Sequence, residues 1–193
     1  MSSKVAQKER THASILASAC QLLREKGIGG ARVADVMQGA GLTVGGFYAH
    51  FASKDALVDA VLRKTAAFMR SRMFDRIEEK PLAARGEVVL KRYLSAAHRD
   101  DAKTGCPFPA VAGEVATTTP EHASVLAEQL DVLVTELTTH LTGDARRTTA
   151  IGMVALMFGG ITLARAVRGT EFSDEILRAC RTYGGHRSGR GER

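Results

Sequence analysis

The chain has 193 residues, of which 45% are hydrophobic and only 5% aromatic, with no tryptophan. This length and composition provide one sizeable core or two small ones and exclude a disordered chain. The net charge of +6 is compatible with a polyanionic partner, and no apolar run approaches the roughly 18 residues that a membrane helix requires.

Apolar residues recur at helical spacing along most of the chain, only four prolines occur, and no alternating strand pattern persists. We therefore expect an all-α protein with helices over 5–26, 33–40, 44–50, 54–79, 85–99, 105–116, 120–142, 145–168 and 174–183. The segment at 145–168 is apolar nearly all round and is expected to be buried on all sides. Residues 184–193, rich in Gly and Arg, are predicted to form a disordered basic tail.

The stretch VADVMQGAGLTVGGFYAHFASKDAL, at 33–57, predicts two short helices joined by a tight turn. Gly41 suits that turn because the left-handed conformation is nearly free for glycine. Thr43 is placed to cap the second helix and Ser53 the helix that follows. Phe47 and Phe51, four residues apart, face inward. Such a unit is a helix-turn-helix, whose second helix enters a DNA major groove, although a generic helical hairpin would show the same periodicity.

The run AGLTVGGFYAHFASKDAL closely resembles the signature of the TetR family of bacterial transcriptional regulators, and the resemblance covers roughly residues 8–62. It implies an N-terminal helix-turn-helix DNA-binding head at 1–52, followed by a helical effector-binding and dimerisation body at 53–183. It also implies a regulator, in most cases a repressor, that binds a pseudo-palindromic double-stranded operator as a homodimer. A small-molecule effector would release it from DNA. The expected setting is the bacterial cytoplasm, with no membrane partner.

By this resemblance, Tyr48, His50 and Lys54 would contact the DNA backbone, where phosphate contacts position a protein. Each has a plainer interpretation: a half-buried aromatic, a histidine that caps a helix end, or a solvated charge. Arg32 stands where the family has a helix-capping hydroxyl, and it is expected either at a phosphate or guanine or as a surface charge. The predicted DNA-contacting set is Arg32, Thr43, Val44, Gly45, Gly46, Tyr48, His50 and Lys54.

Gly46 departs from the family pattern because it removes a side chain from a position that often reads bases. Two adjacent glycines also weaken a short helix, by about 1 kcal/mol each relative to alanine. Sequence specificity would then depend on Arg32, the N-terminal arm and DNA shape. Gly46 also leaves open a helical dimer that keeps the fold without binding DNA.

The predicted effector pocket comprises Phe68, Tyr93, Cys106, Phe108 and Val111, each of which could instead be ordinary core. Cys106 precedes a helix start, and a helix N-terminus can lower the pKa of a thiol. An alternative function is therefore a regulator that senses electrophiles or oxidants through Cys106. The competing interpretation is that Cys106 is a buried, inert thiol.

Helices 120–142 and 145–168 are the predicted four-helix dimer bundle, with the intrachain core as the alternative. The predicted interface residues are Leu130, Leu133, Leu137, Leu156, Gly160 and Ile161.

The sequence predicts no enzyme, no cofactor and no metal site. The three cysteines and six histidines show no ligand spacing, and a reducing compartment fits them. A thiol- or metal-dependent enzyme built on Cys106 and His98 would need a third orienting group that the sequence does not name.

Overall fold

The structure is a computed structural model that describes residues 3–101 and 105–188. Every regular element in these ranges is helical. The α-helices are α1 (Ser3–Gly30), α2 (Val33–Gly39), α3 (Lys54–Met73), α4 (Leu82–Tyr93), α5 (Ala96–Asp100), α6 (Phe108–Thr117), α7 (Ala123–Thr139), α8 (Arg146–Ala166) and α9 (Glu171–Ser188). Three short 3-10 helices lie between them, at Val44–Ala49, Ile77–Glu79 and Pro120–His122. The expectation of an all-α protein is confirmed.

The N-terminal head is formed by α1, α2 and the 3-10 helix Val44–Ala49, and the start of α3 closes it. Ile15, Ala19 and Leu23 recur at helical spacing on α1 and are all buried. The buried apolar side chains of the head and the body form one continuous cluster. The boundary at residue 53 therefore does not divide two separate cores, and the division into a head and a body remains a prediction.

Helix α3 begins as predicted, because the Ser53 hydroxyl accepts a hydrogen bond of 3.0 Å from the Ala56 backbone N–H. Its end differs from the prediction, at Met73 rather than at residue 79. Phe74 and Ile77, beyond the end of the helix, are both buried. The chain breaks at Arg76, whose φ is 48°, and the Met73 carbonyl accepts a 2.7 Å hydrogen bond from Arg92.

The predicted helix at 85–99 is divided into α4 and α5. Ser95 begins α5 by accepting a hydrogen bond of 3.1 Å from the His98 N–H. The division places Tyr93 and Leu94 in the core, and both are buried.

Helix α8 is not buried on all sides as the sequence predicts. One face carries small and apolar residues that are exposed, including Ile151 at 51% and Leu163 at 59%. Among the described residues, α8 is the one helix long and apolar enough, by length and composition alone, to cross a membrane. A core helix of a soluble protein meets the same criterion. Asp144 does not cap α8, which begins after Ala145 without a side-chain cap.

Helix α9 is longer than predicted and continues through Ser188, five residues into the expected tail. Gly184 is buried, and a Cβ at this position would lie only 2.7 Å from Leu90 and 2.9 Å from Leu156. This close packing stabilises α9 so that it continues past the Gly184-Gly185 pair. The rest of the predicted tail, 189–193, lies outside the described residues.

The crossing of α8 and α9 depends on Gly160. A Cβ there would lie 2.8 Å from the Cys180 Sγ and 3.0 Å from a Leu94 methyl. Gly113, on α6, is exposed, and a Cβ there would meet nothing within 4 Å.

We expect Gly160→Leu to lower the free energy of unfolding by about 1–3 kcal/mol through overpacking. Gly113→Leu is the matched control and should be neutral or stabilising, because leucine is the better helix former and the space is open. Urea denaturation measures both. Equal effects of the two substitutions would contradict the assigned crossing.

Candidate functional site

The turn between α2 and the next helical segment has the geometry that the sequence predicts. Gly41 has a φ of 72°, and its N–H donates to the Gln38 carbonyl at 2.9 Å. The Leu42 N–H donates to the Met37 carbonyl, also at 2.9 Å. This pair of bonds around a left-handed glycine ends α2 and redirects the chain.

The segment after this turn, Val44–Ala49, is a 3-10 helix and not the predicted α-helix over 44–50. We call it the recognition segment. Gly45 and Gly46 lack side chains that favour an α-helix, which accounts for the tighter and shorter form. Thr43 occupies the position before it, but its hydroxyl accepts no capping hydrogen bond, contrary to the prediction.

Phe47 fixes the recognition segment to the head. Its side chain is fully buried, and its ring stacks on that of Phe51 with centroids 5.9 Å apart. Neither glycine is required by packing, because a Cβ at Gly45 would meet nothing within 4 Å and one at Gly46 would make only an ordinary contact with Met37. The backbone of the segment is therefore open to solvent on that side.

Polar donors flank this open backbone. Tyr48 is 74% exposed, and its ring lies edge-on to the buried Phe47 ring, with centroids 5.3 Å apart. Lys54 lies in the first turn of α3 and is half-exposed, while Arg32 is exposed immediately before α2. Thr43 and Val44 are exposed as well.

His50 differs from this group because it packs against α1. Its ring centroid is 6.0 Å from that of His12, and its Nδ1 is buried with no hydrogen-bond partner in the described part of the chain. Burial lowers the pKa of His50, and the nearby His12 and Lys8 lower it further. His50 therefore favours the neutral form, in which it offers a phosphate one hydrogen bond and no charge. Lys8 belongs to the exposed basic positions at the start of α1, with Lys4 and Arg10.

A narrow apolar cavity, with an enclosed space of about 20 Å³, lies within the body. Tyr93, Cys106 and Phe108, all predicted pocket residues, line it. Val111 is buried but is not part of the lining, and Phe68 is exposed on the surface under the Arg72 guanidinium. The remaining lining residues are Ala66, Met69, Arg70, Met73, Gln129, Leu130, Leu133 and Phe158.

The sequence did not single out Met69, Met73, Gln129 or Phe158. Each fits an ordinary helical stripe, and only the packing of α3, α7 and α8 brings them to one cavity. Leu130 and Leu133, predicted at the dimer interface, belong to this cavity instead.

The buried polar side chains of the cavity wall are Tyr93, Cys106 and Gln129. The Tyr93 hydroxyl faces the Cys106 thiol, which is a weak partner, and no stronger one lies within reach among the described residues. Burial raises the pKa of Tyr93 well above its ordinary value. The cavity therefore contains a buried O–H donor that a bound molecule could satisfy.

Cys106 does not have the lowered pKa that the sequence suggests. Its side chain is 3% exposed, and burial raises the pKa of the thiol. The backbone N–H of Phe108, the first residue of α6, contacts the thiol and lowers its pKa, but burial has the larger effect. The structure thus favours the buried, inert thiol over an activated one.

His98 holds the Cys106 segment in place. Its Nε2 accepts a hydrogen bond of 3.0 Å from the Cys106 N–H, so its Nδ1 carries the proton and donates to the Tyr93 carbonyl at 2.6 Å. This arrangement requires a neutral ring, and burial lowers the pKa of His98 to about 4. Arg165 completes the support by donating to the Cys106 and His98 carbonyls, at 2.9 and 3.2 Å.

The side chains predicted at the dimer interface point mainly into the chain's own core. Leu133, Leu137, Gly160 and Ile161 are buried, and Leu156 packs near Gly184. The physical reason is that the most continuous apolar stripe of each helix faces its own bundle. Exposed apolar residues occur on the outer faces of α8 and α9, whereas Val132 is the one large apolar side chain of α7 that is exposed.

Comparison with known proteins agrees with this geometry. Residues 15–61 match the family model described as bacterial regulatory proteins, tetR family. No curated protein matches the chain in sequence. The N-terminal head thus resembles the TetR family of bacterial regulators, and the whole chain has the fold of solved TetR-family regulators.

Three solved structures illustrate the likeness. A TetR transcriptional regulator from Chloroflexus aurantiacus has 25% identity and a TM-score of 0.80, over 94% of this chain and 95% of that one. A TetR-family regulator from a Rhodococcus species has 17% identity and a TM-score of 0.79, over 93% and 99%. The reduced form of E. coli NemR has 22% identity and a TM-score of 0.77, over 90% and 94%.

We expect His98 to make the fold sensitive to acid. The pKa of His98 is about 4 in the folded chain and near 6.5 in the unfolded chain. Between these two pH values, His98 is protonated only in the unfolded chain. The free energy of unfolding should fall as the pH drops through that window, by about 2 kcal/mol at pH 5.

Urea denaturation at pH 7 and pH 5, at one protein concentration, measures this difference. His98→Gln should remove about that much of the pH dependence. The exposed His186 provides the control, since His186→Gln should leave the pH dependence unchanged. An identical loss at pH 5 in the wild type and in His98→Gln would contradict the role of His98.

Proposed function

We propose that this protein is a transcriptional regulator, acting as a repressor, that binds a pseudo-palindromic operator as a homodimer. A small molecule bound in the body would release it from DNA. The observation that carries the proposal is the recognition segment, an open Gly45-Gly46 backbone anchored by the buried Phe47 and flanked by exposed donors. This segment follows the left-handed Gly41 turn within a TetR-family head.

Arg32, Tyr48 and Lys54 provide contacts to DNA in this proposal. Arg and Lys supply charge to phosphates, and the Tyr48 hydroxyl adds a hydrogen bond. Because Gly45 and Gly46 present no side chains, the segment can approach the duplex closely, and Thr43 and Val44 are the side chains nearest to base edges. Val44 would contact a thymine methyl, and Thr43 a base or a phosphate.

Dimerisation through the outer faces of α8 and α9 is supported by their exposed apolar surface. On α8, Ile151, Gly152, Ala155, Gly159 and Leu163 follow one another at helical spacing and are exposed. On α9, Phe172 and Tyr183 are exposed, at 58% and 61%. Exposed apolar patches of this kind mark association surfaces. In this proposal the dimer interface consists of α8 and α9, whereas the sequence predicted the helices at 120–142 and 145–168, which correspond to α7 and α8.

The cavity supports an effector of mainly apolar character with a hydrogen-bond acceptor. Its lining is aliphatic, aromatic and methionine-rich, and the unsatisfied Tyr93 hydroxyl is the donor that such an acceptor would meet. A second cleft of about 600 Å³, counting open solvent, shares Met69, Met73 and Tyr93 with this cavity. Arg72 and Arg92 line that second cleft, so a polar end of the effector would extend toward them.

Helix α6 supports communication between this cavity and the head. It begins at Phe108 in the cavity wall, and its Glu114 carboxylate accepts hydrogen bonds from the Ile28 and Gly29 N–H groups, at 3.0 and 2.9 Å. Those two residues follow the kink at Gly27, whose φ is 71°, at the end of α1. A displacement of α6 by an effector would therefore be passed to the chain that enters α2. Release requires that the effector bind the displaced arrangement more tightly.

We expect Lys54→Ala to weaken binding to all DNA sequences by a similar factor. The log–log salt slope should become shallower by about one unit for each subunit on the duplex. Operator sequences are first identified by selecting the genomic fragments that the purified protein binds. Fluorescence anisotropy at several salt concentrations then measures the slope. Lys64→Ala, an exposed lysine farther along the same helix, is the matched control and should change neither quantity.

Two results would refute this assignment. Lys54 is not a phosphate contact if the variant changes base preference and leaves the salt slope unaltered. If the wild-type protein selects no fragments and binds duplexes without salt dependence, the chain is a helical protein of this fold that does not bind DNA.

We expect Gly159→Arg to convert the dimer to monomers without unfolding the chain. A Cβ at Gly159 meets nothing within 4 Å in the single chain, so the substitution is tolerated there and would bury charge only against a partner. Gly113→Arg, also at an open helical position, is the control and should remain dimeric. Light scattering that shows an unchanged dimer for Gly159→Arg would place the interface elsewhere. The intact dimer should space its recognition segments about 34–36 Å apart.

A further inference from the structure

Four side chains from distant parts of the sequence meet where the head joins the body. Asp55 lies in the first turn of α3 and Asp59 one turn later, while Glu121 and His122 belong to the 3-10 helix Pro120–His122. The His122 Nδ1 lies 2.8 Å from the Asp59 Oδ1. Its Nε2 lies 3.9 Å from the Asp55 Oδ1 and 4.0 Å from the Glu121 Oε1.

His122 is 1% exposed, and its Nε2 is buried with no hydrogen-bond partner among the described residues. A carboxylate such as that of Asp59 accepts hydrogen bonds, so Nδ1 is the ring nitrogen that carries the proton. Nε2 then carries a lone pair, and the two carboxylates near it, those of Asp55 and Glu121, cannot donate a hydrogen bond to it. A protonated ring does not resolve this, because both carboxylates remain beyond hydrogen-bond distance from Nε2.

The charges around His122 also lack compensation. Within the described ranges, no lysine or arginine forms an ion pair within 4 Å with Asp55, Asp59 or Glu121. Three carboxylates therefore surround the His122 ring, two of them near the buried lone pair of Nε2. A bound cation would satisfy both the lone pair and the excess negative charge.

We propose that His122 Nε2, Asp55 and Glu121 bind a divalent transition-metal ion of the zinc class. The three ligand atoms lie within 4.8 Å of one another. Tetrahedral zinc bonds of about 2.0–2.2 Å place ligand atoms roughly 3.4 Å apart, so the exposed carboxylates need to move inward by only about 1 Å. An imidazole ligand favours zinc, cobalt or nickel over magnesium and calcium.

Asp59 is a positioning residue in this site. A histidine ligand that donates its other N–H to a carboxylate has its tautomer and ring orientation fixed, and the carboxylate increases the basicity of the ligating nitrogen. The 2.8 Å contact between Asp59 and the His122 Nδ1 provides this support. Three protein ligands leave a fourth position for water or another small ligand.

The site would connect the first turn of α3, which contains Lys54, to the segment between α6 and α7. Under the proposed function, the metal would restrain the head relative to the body, and metal and DNA would change each other's affinity by the same factor. Only this consequence depends on the proposed function, because metal binding is measured on the protein without DNA.

The test titrates untagged, chelator-treated full-length protein with Zn²⁺ by calorimetry and with Co²⁺ by optical absorption. We expect one ion per chain, without the thiolate charge-transfer band that a cysteine ligand would give. Asp55→Asn and Glu121→Gln should each weaken binding at least 10-fold. Asp59→Asn should weaken it about 10–100-fold.

The matched controls are Asp35→Asn and Glu171→Gln, which alter acidic residues in the first turns of α2 and α9. Both should bind metal like the wild type. The exposed carboxylate variants keep the test decisive even if His122→Gln does not fold. The proposal is overturned by absence of saturable binding, by a thiolate band at one equivalent, or by unchanged affinity in both Asp55→Asn and Glu121→Gln.

Discussion

The packing of α3 is the constraint on which both halves of the molecule depend. Its N-terminal turns bury Leu57, Val58 and Val61 against α1 and the rest of the head, and further along it packs on α7. Met69 and Met73, at its other end, form part of the cavity wall. A single helix therefore carries the surface around Lys54 and one wall of the cavity, so a change at either end moves the same rigid element.

The segment 108–122 forms a second connection between the halves. Near its middle, the Glu114 carboxylate holds the end of α1 through two backbone N–H groups, and at its end His122 contacts Asp59 of α3. Its start, Phe108, lies in the cavity wall. The head is consequently held at two separated points by one segment whose first residue lines the cavity. Two such points define the orientation of the head far better than the single helix α3 would.

Local rules predicted the features that depend on neighbouring residues. The Gly41 turn, the Ser53 cap and the all-helical class follow from conformational preference and periodicity, and the structure shows them. Features that depend on distant residues could not be predicted. The inward orientation of Leu137 is set by three-dimensional packing, and the cluster around His122 joins residues more than 60 positions apart. Prediction also failed where the chain leaves the helix at Met73 and turns through the left-handed Arg76, or where weak propensity changed the helix type, as at Gly45.

The open space in front of Gly45 has a consequence for how the proposed DNA contacts could diverge. The fold of the segment is secured by Phe47 and the Gly41 turn, and neither depends on what residues 45 and 46 carry. Under the proposed function, a new side chain at position 45 would project toward a bound duplex, whereas one at position 46 would begin in contact with Met37. In a protein that binds DNA through this segment, substitutions at these two positions can change the operator preference at little cost to stability.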